Sequence, residues 1–285
     1  MNKKILVTGA NGQLGRSLQK IQSNYPDCKF YFTDIDTLDI CNVVQLIDFI
    51  VCNETEYILN CAAYTAVDKA ETDRDNCMNI NRDAVRLIGE VAMLEKLKVI
   101  HISTDYVFDG AAASPYREED ATNPMSVYGK SKLEGEHALQ TICSDAIIIR
   151  SSWLYSEYGS NFVKTMIDLG KKRTEIKVVA DQTGTPTYAG DLAEAMMTMV
   201  EHQPFTPGIY HFSNEGVCSW YDFAVKIMAL AGLDCQVLPI QTHEYPAQAI
   251  RPAYSVLDKS KIKMTFHLQI PPWEESLAKC VEALL

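Results

Sequence analysis

Two residues at helical spacing could move a proton. Tyr128-Gly129-Lys130-Ser131-Lys132 sets a phenol and an ammonium at positions i and i+4. On a helix that begins near Tyr128 those positions share a face, so the two groups can meet. A free phenol has a pKa of about 10. A fixed positive charge beside it favours phenolate and lowers that value, which makes the tyrosine usable as a general acid or base near neutral pH. Such a pair is common by chance and needs context. Upstream, Ser103-Thr104-Asp105-Tyr106-Val107-Phe108-Asp109-Gly110 closes the apolar run VIHIS. Thr104 therefore stands at a strand end, where it either caps a turn or offers its hydroxyl to a substrate.

A second motif lies at the other end of the same half. Gly9-Ala10-Asn11-Gly12-Gln13-Leu14-Gly15 follows a first strand and opens a helix. Glycines at this spacing let the backbone turn tightly, approach a diphosphate and pack helix on strand, and the helix N-terminus offers N–H groups to the phosphates. The spacing G-x-x-G-x-x-G differs from the G-x-G-x-x-G dehydrogenase fingerprint and resembles the extended branch of the short-chain dehydrogenase/reductase superfamily. Asp34, at the end of the second strand, would accept hydrogen bonds from an adenosine ribose and favour NAD(H) over NADP(H). It also reads as a cap or turn residue, and Asp36 competes for the ribose. Asp39-Ile40 resembles the superfamily pair whose Asp meets the adenine amine. Ala62, Ala63 and Tyr64 end the third strand, where small residues allow close approach of the cofactor; Cys61 reads as packing. Thr104 resembles the third member of the superfamily's Ser/Thr-Tyr-Lys arrangement. That resemblance implies that Thr104 orients the substrate carbonyl and that Lys132 also bonds the nicotinamide ribose.

The elements that must hold these residues read as alternating strands and helices. Strands are predicted at 4–8, 29–33, 57–61, 99–103 and 146–152. Helices are predicted from about Gln13, near 42–53, from about Asn79 to Lys96, and from near Tyr128. Such alternation implies βαβ units and a parallel sheet. The expected fold is α/β, a Rossmann-like doubly wound parallel sheet with a smaller C-terminal substrate lobe. Residues 1–150 form the dinucleotide-binding part. Residues 151–285 form mainly the nucleotide-sugar lobe, with some segments returning to the first part. In this second half helices are expected near 160–171, 189–201 and 219–231, a short strand at 208–212, and proline-laced loops between them.

Composition narrows the class. The chain has 285 residues, 47% of them hydrophobic and 22% charged, enough for a substantial core. A formal net charge of -11 argues against a phosphate-backbone binder, so no nucleic-acid partner is expected. The nine cysteines show no CxxC pair and no zinc-type cluster. They read as reduced thiols in a cytoplasmic protein. The apolar run after MNKK is too short for an export signal, and no later run, such as AIII at 146–149, spans a membrane.

Longer blocks narrow it further. NCAAYTAVDKAE at 60–71, STDYVFDG at 103–110, YGKSKLEGE at 128–136 and RSSWLYSEYGSNFVKTM at 150–166 resemble the dTDP-4-dehydrorhamnose reductase family. ADQTGTPTYAGDLA at 180–193, GIYHFSN at 208–214 and RPAYSVLDKSKI at 251–262 are similar to it as well. The resemblance implies an NADH- or NADPH-dependent reduction of the 4-keto group of dTDP-4-dehydro-L-rhamnose, the last step to dTDP-L-rhamnose. Thr104, Tyr128 and Lys132 would be catalytic in that reaction. Asp105 would lie beside the sugar. Trp153 would stack on the nucleotide-sugar or pack in the core. Asn161, Gln182 and Arg251 would bind the nucleotide-sugar, Arg251 through its fork on the diphosphate. Family members have been associated with Mg2+ at a dimer contact built from glutamates. Here Arg16-Ser17 follow the last motif glycine, so no Mg2+ ligands are identified, and a monomer or a homodimer is expected. The same motifs also fit another nucleotide-sugar 4-ketoreductase or epimerase. They fit as well a non-catalytic NADP-binding subunit like the beta subunit of methionine adenosyltransferase.

Overall fold

The computed structural model describes residues 3–285. The first half supplies β1 (Lys3–Thr8), β2 (Cys28–Phe32), β3 (Tyr57–Asn60), β4 (Lys98–Thr104) and β5 (Ala146–Ser151). The second half adds β6 (Leu154–Tyr155), β7 (Glu175–Val179), β8 (Thr183–Gly184), β9 (Thr187–Tyr188), β10 (Gly208–Phe212), β11 (Cys218–Ser219) and β12 (Gln236–Ile240). Six strands form one sheet in the order β10-β5-β4-β3-β1-β2, and every pairing in it is parallel. The chain runs outward from β1 to β2 and then restarts on the other side with β3. The sheet therefore has a switch point between β1 and β3, and the crevice beyond their C-terminal ends is where such sheets bind ligands. The expected α/β doubly wound sheet is present.

The helices in chain order are α1 (Gln13–Ile21), α2 (Val43–Asn53), α3 (Val67–Ala70), α4 (Arg74–Met78), α5 (Ala84–Glu95), α6 (Val127–Ile142), α7 (Phe162–Gly170), α8 (Ala189–Glu201), α9 (Trp220–Leu230), α10 (Ser260–Phe266) and α11 (Trp273–Leu284). Side-chain caps set several starts. Asn42 accepts from Gln45 N ahead of α2, and Ser126 accepts from Gly129 N ahead of α6. Ser219 and Asp222 form a capping box on α9. The helix expected from Asn79 starts earlier, at Arg74. It passes through a π turn at Asn79–Asp83 before α5. At that turn the Asn81 amide leaves the helix surface and bonds Tyr64 N, Tyr64 O and the Ser131 hydroxyl.

Both sheet faces are covered. Ile5, Val7, Leu59, Ile147 and Ile149 pack against α1 and α8 on one side. Leu6, Ile58, Val99 and Ile148 pack against α2 and α5 on the other. A third core, built on Tyr155, Val163, Ile176, Phe223 and Leu277, belongs to the second half. It holds the two-stranded pairs β7/β12 and β6/β9, where the sequence pattern predicts loops. Strand β12 carries Pro239, which cannot donate to a ladder and blurs its strand pattern. All nine cysteines are unbridged. Among the described residues no helix is long and apolar enough to cross a membrane.

Candidate active site

A cleft of about 810 Å³ opens at the sheet's switch point. One side is the loop from β1 to α1, lined by Gly9, Asn11, Gly12, Gln13 and Leu14. Gly9 takes φ +64, a left-handed turn that favours glycine, and a Cβ there would come within 2.6 Å of Ala62 N. Helix α1 begins at Gly12 with no side-chain cap, so its first N–H groups are free for an anion. A Cβ on Gly12 would meet only Gly9 O, at 3.2 Å. The other side of that position opens to the cleft. An uncapped helix start above an unfilled glycine cradle fits the diphosphate of a dinucleotide. Ala10 and Gly15 are buried behind the cradle and do not reach the cleft wall.

Around this cradle stand the other residues expected at a dinucleotide. Asp34 lines the cleft, accepting from Asn11 N at 2.8 Å and Ile35 N at 2.9 Å, whereas Asp36 is exposed and off the wall. A carboxylate has further lone pairs to offer a ribose. Asp39, Ile40, Ala62 and Ala63 line the same region. Tyr64 turns away, its hydroxyl on Asp73 at 3.1 Å.

The proton-moving candidates meet on the facing wall. Thr104 ends β4, where its Oγ1 donates to Asp105 Oδ1 at 3.1 Å and accepts from Tyr106 N at 3.2 Å. Helix α6 is pressed onto that turn, and a Cβ on Gly129 would overlap the Tyr106 carbonyl oxygen. This approach sets the Tyr128 ring edge-on to Tyr106, with centroids 5.6 Å apart. Thr104, Asp105, Tyr128 and Lys132 all line the cleft. One turn along α6, Lys132 Nζ donates to Ile102 O at 2.5 Å and lies 3.5 Å from His101 Nε2.

The electrostatics differ in one respect from the sequence expectation. Burial raises the Tyr128 phenol above its ordinary value, with the Thr104 hydroxyl pulling the other way and Asp105 adding to the rise. Burial also lowers Lys132 to about 8. Desolvation sets the direction, and Lys132 does not pull the phenol down as the spacing predicts. Tyr128 is a neutral phenol, the form that donates a proton. Burial likewise lifts Asp105 to about 6, and its Oδ2 has no partner.

The second half supplies the remaining wall. Trp153 lines the cleft with φ +48, a left-handed conformation that costs a non-glycine residue about 1–3 kcal/mol. It is held by stacking on Trp220, with centroids 3.7 Å apart and planes 13° off parallel. Trp220 also lines the cleft. Spacing did not reveal it, because its position depends on how α9 packs. Asn161 lines the cleft as the cap of α7, and its Nδ2 donates to Gln13 Oε1 at 2.9 Å, tying the two halves together. Gln182 and Arg251 do not reach the wall. Gln182 is buried and donates to Thr242 Oγ1 at 3.2 Å. Arg251 donates to both oxygens of Asp68, at 3.1 and 2.7 Å, and this pairing holds Asp68 at about 2.

Behind the wall lies polar structure that the motifs did not announce. Glu136, one turn beyond Lys132, is fully buried. It accepts a short bond from the Ser103 hydroxyl and bonds from Arg150 Nε and Nη2, the latter at 2.7 Å. The i+8 position of Glu136 from Tyr128 on one helix face was a signal that could have found it. Among the described residues no cluster of three His, Cys, Asp or Glu side chains could hold a metal ion. Arg16 lies instead over the Tyr158 ring, 4.7 Å from its centroid.

Known proteins match the whole chain. Residues 3–285 match the family described as "RmlD substrate binding domain". A dTDP-4-dehydrorhamnose reductase of Aggregatibacter actinomycetemcomitans is 42% identical over 284 residues, covering 96% of this chain and 97% of that protein. Among solved structures, a dTDP-4-dehydrorhamnose reductase from Clostridium acetobutylicum superposes with a TM-score of 0.94 at 44% identity, covering 99% of each chain. The Bacillus anthracis dTDP-4-dehydrorhamnose reductase in complex with NADP gives 0.95 at 41% identity, over 99% of this chain and 100% of that one.

Proposed function

The chain belongs to the dTDP-4-dehydrorhamnose reductase family of the extended short-chain dehydrogenases/reductases, and from that premise we propose that its cleft reduces the 4-keto group of dTDP-4-dehydro-L-rhamnose to give dTDP-L-rhamnose. The observation that carries the reading is the convergence of Thr104, Tyr128 and Lys132 on one wall, across from an open glycine cradle.

NADH or NADPH fits that cradle. The Gly9–Leu14 loop and the start of α1 take the diphosphate, Asp34 the adenosine ribose, and Asp39 and Ile40 the adenine. Ala62 and Ala63 leave room beneath the cofactor. When bound, the reduced nicotinamide supplies the hydride that carbon 4 receives. Tyr128 gives its phenolic proton to the carbonyl oxygen as that oxygen gains charge. Thr104 turns its single hydroxyl proton from Asp105 Oδ1 to the same oxygen and fixes the carbonyl's direction. Lys132, with one N–H committed to Ile102 O and a second facing His101 Nε2, keeps its third for the ribose, and its charge steadies the phenolate left on Tyr128. Asp105, which lines the cleft next to Thr104, lies beside the sugar.

Residues 1–150 then act mainly as the cofactor half. Residues 151–285 act mainly as the sugar half, with β10 returning to the large sheet. Trp153, supported by Trp220, offers a flat apolar face to the nucleotide-sugar, and Asn161 sits beside it. Arg251 reaches a diphosphate only by exchanging the Asp68 carboxylate for it, and Gln182 only by leaving Thr242. The unbridged thiols fit a reducing compartment, the cytoplasm. The test follows loss of nicotinamide absorbance with dTDP-4-dehydrorhamnose and with its UDP counterpart. Oxidation with the dTDP sugar supports the reading; none with either sugar refutes it.

A further inference from the structure

Three polar side chains stand in register across the buried sheet. Thr8 on β1 pairs with Asn60 on β3, and Asn60 pairs with His101 on β4. Their exposures are 1%, 1% and 0%. Asn60 opens the block NCAAYTAVDKAE, but no catalytic role accounts for the three. Polar groups buried this deeply persist when they satisfy one another. The Thr8 hydroxyl donates to Asn60 Oδ1 at 2.7 Å, and Asn60 Nδ2 lies 2.9 Å from His101 Nδ1. The other ring nitrogen, Nε2, faces Lys132 Nζ at 3.5 Å. The row therefore ends on the ammonium that lines the cleft. We propose that His101 is a positioning residue for Lys132, held by Asn60 in the Nδ1–H tautomer so that its Nε2 lone pair accepts a hydrogen bond from the ammonium. The role in turnover rests on the ketoreductase reading; the tautomer and the contact do not.

The tautomer follows from what each group can do. An ammonium only donates, so Nε2 must accept if the two are to attract. Nδ1 then carries the ring proton and needs an acceptor, which a half-turn of the Asn60 amide supplies as its carbonyl oxygen. The Asn60 NH2 in turn donates to the Thr8 hydroxyl oxygen. The structure sets Oδ1 on Thr8 and Nδ2 on His101; a half-turn of the amide exchanges them with the same neighbours. With Nδ2 on His101, Nε2–H would point at the ammonium, and two donors would meet. The lysine thus selects the amide orientation, and the amide holds the ring.

The ring stays neutral. Burial, and then the Lys132 charge, push His101 well below its ordinary value. A neutral imidazole acceptor favours the charged form of Lys132 and opposes the burial that lowers it. The other groups facing Lys132 are Glu136 and Tyr128 on α6, Cys77 on α4 and Cys61 after β3. Glu136 favours the ammonium but is already bonded by Arg150 and Ser103. The two thiols are pushed up by burial, Cys61 to about 12, and stay uncharged. The His101 lone pair and Ile102 O are thus the hydrogen-bond acceptors inside the wall.

The experiment is NMR on the full chain. Protein labelled with 15N-histidine reports the tautomer of each of the six histidines, and His101 is assigned by the signal lost in His101→Gln. Lysine labelled with 13C at Cε then gives the Lys132 titration, assigned by Lys132→Met. The expected results are an Nδ1–H tautomer for His101 and a Lys132 midpoint that falls by about one pH unit in His101→Leu. His101→Gln, whose amide oxygen can replace the lone pair, should bring the midpoint back. The alkaline limb of kcat/KM should move with the midpoint, which a loss of packing alone would not cause. An Nε2–H tautomer in the wild type overturns the proposal even if His101→Leu fails to fold. A Lys132 titration in His101→Leu that coincides with wild type overturns it as well. A protein inert toward dTDP-4-dehydrorhamnose would sink the ketoreductase reading and leave both NMR results to decide this one.

Discussion

Replacing Tyr128 by Phe removes one oxygen from the cleft wall and leaves the ring in place. The ring packs edge-on against Tyr106 through carbon, so that contact survives. The stability cost is that of one hydrogen-bonded hydroxyl, about 1 kcal/mol. The kinetic cost is much larger. Burial keeps the phenol protonated, and the neighbouring acids are the Tyr106 phenol, also raised by burial, and the Asp105 carboxyl, which at about 6 is largely ionised near neutral pH. General acid catalysis contributes about 10²–10⁴-fold, or about 3–5 kcal/mol of barrier. kcat should fall by that factor while the cofactor dissociation constant, read by fluorescence titration, changes little. Lys132→Met should lower kcat and weaken cofactor binding together, because the lysine has two tasks. The double variant should lose less than the product of the two single losses, since both act on one proton transfer. A Tyr128→Phe enzyme within about threefold of wild type, under about 1 kcal/mol of barrier, would refute the assignment of the proton to Tyr128. Tyr106, Asp105 or water would then be the donor.

Other perturbations test other parts of the cleft. Gly12→Val should fold, since a Cβ there meets only Gly9 O, yet its branches fill the diphosphate space; cofactor affinity within about twofold of wild type would remove the glycine cradle from the account. Asp34→Ala should raise the kcat/KM ratio of NADPH to NADH, because a 2′-phosphate no longer meets a carboxylate, and an unchanged ratio places the ribose elsewhere. Asp105 has its folded pKa raised from 3.8 to about 6, so its contribution to stability is full below about pH 4 and is lost as pH rises through about 6. Asp105→Asn should therefore gain up to about 3 kcal/mol on wild type between pH 4 and pH 7 in denaturant titrations, and a constant difference across that range contradicts the burial argument.

Much of the glycine-loop side of the cleft was legible in the sequence because it is local. A strand, a glycine turn and a helix start are consecutive, so Gly9–Gly15 lie at the switch point that the alternation of elements implies. Tyr128 and Lys132 share a face through helix geometry alone. Environment was not legible in the same way. The direction of the Tyr128 shift depends on burial, which no spacing reports. Asp34 and Asp36 could not be separated until the turn after β2 placed one on the wall and left the other exposed. Arg251 has the chemistry for a diphosphate, but distant Asp68 pairs with it. Trp220 reaches the cleft only because α9 packs beside Trp153. His101 left one faint trace, a polar residue in a strand whose neighbours are apolar.

The most direct measurement of the central claim uses reduced cofactor carrying deuterium at the transferable position, mixed with dTDP-4-dehydro-L-rhamnose and this protein. The product is then read by proton and deuterium NMR. The account predicts dTDP-L-rhamnose with deuterium on carbon 4 of the sugar, formed in step with cofactor oxidation. Deuterium retained on the cofactor, or found at any other carbon, would contradict it.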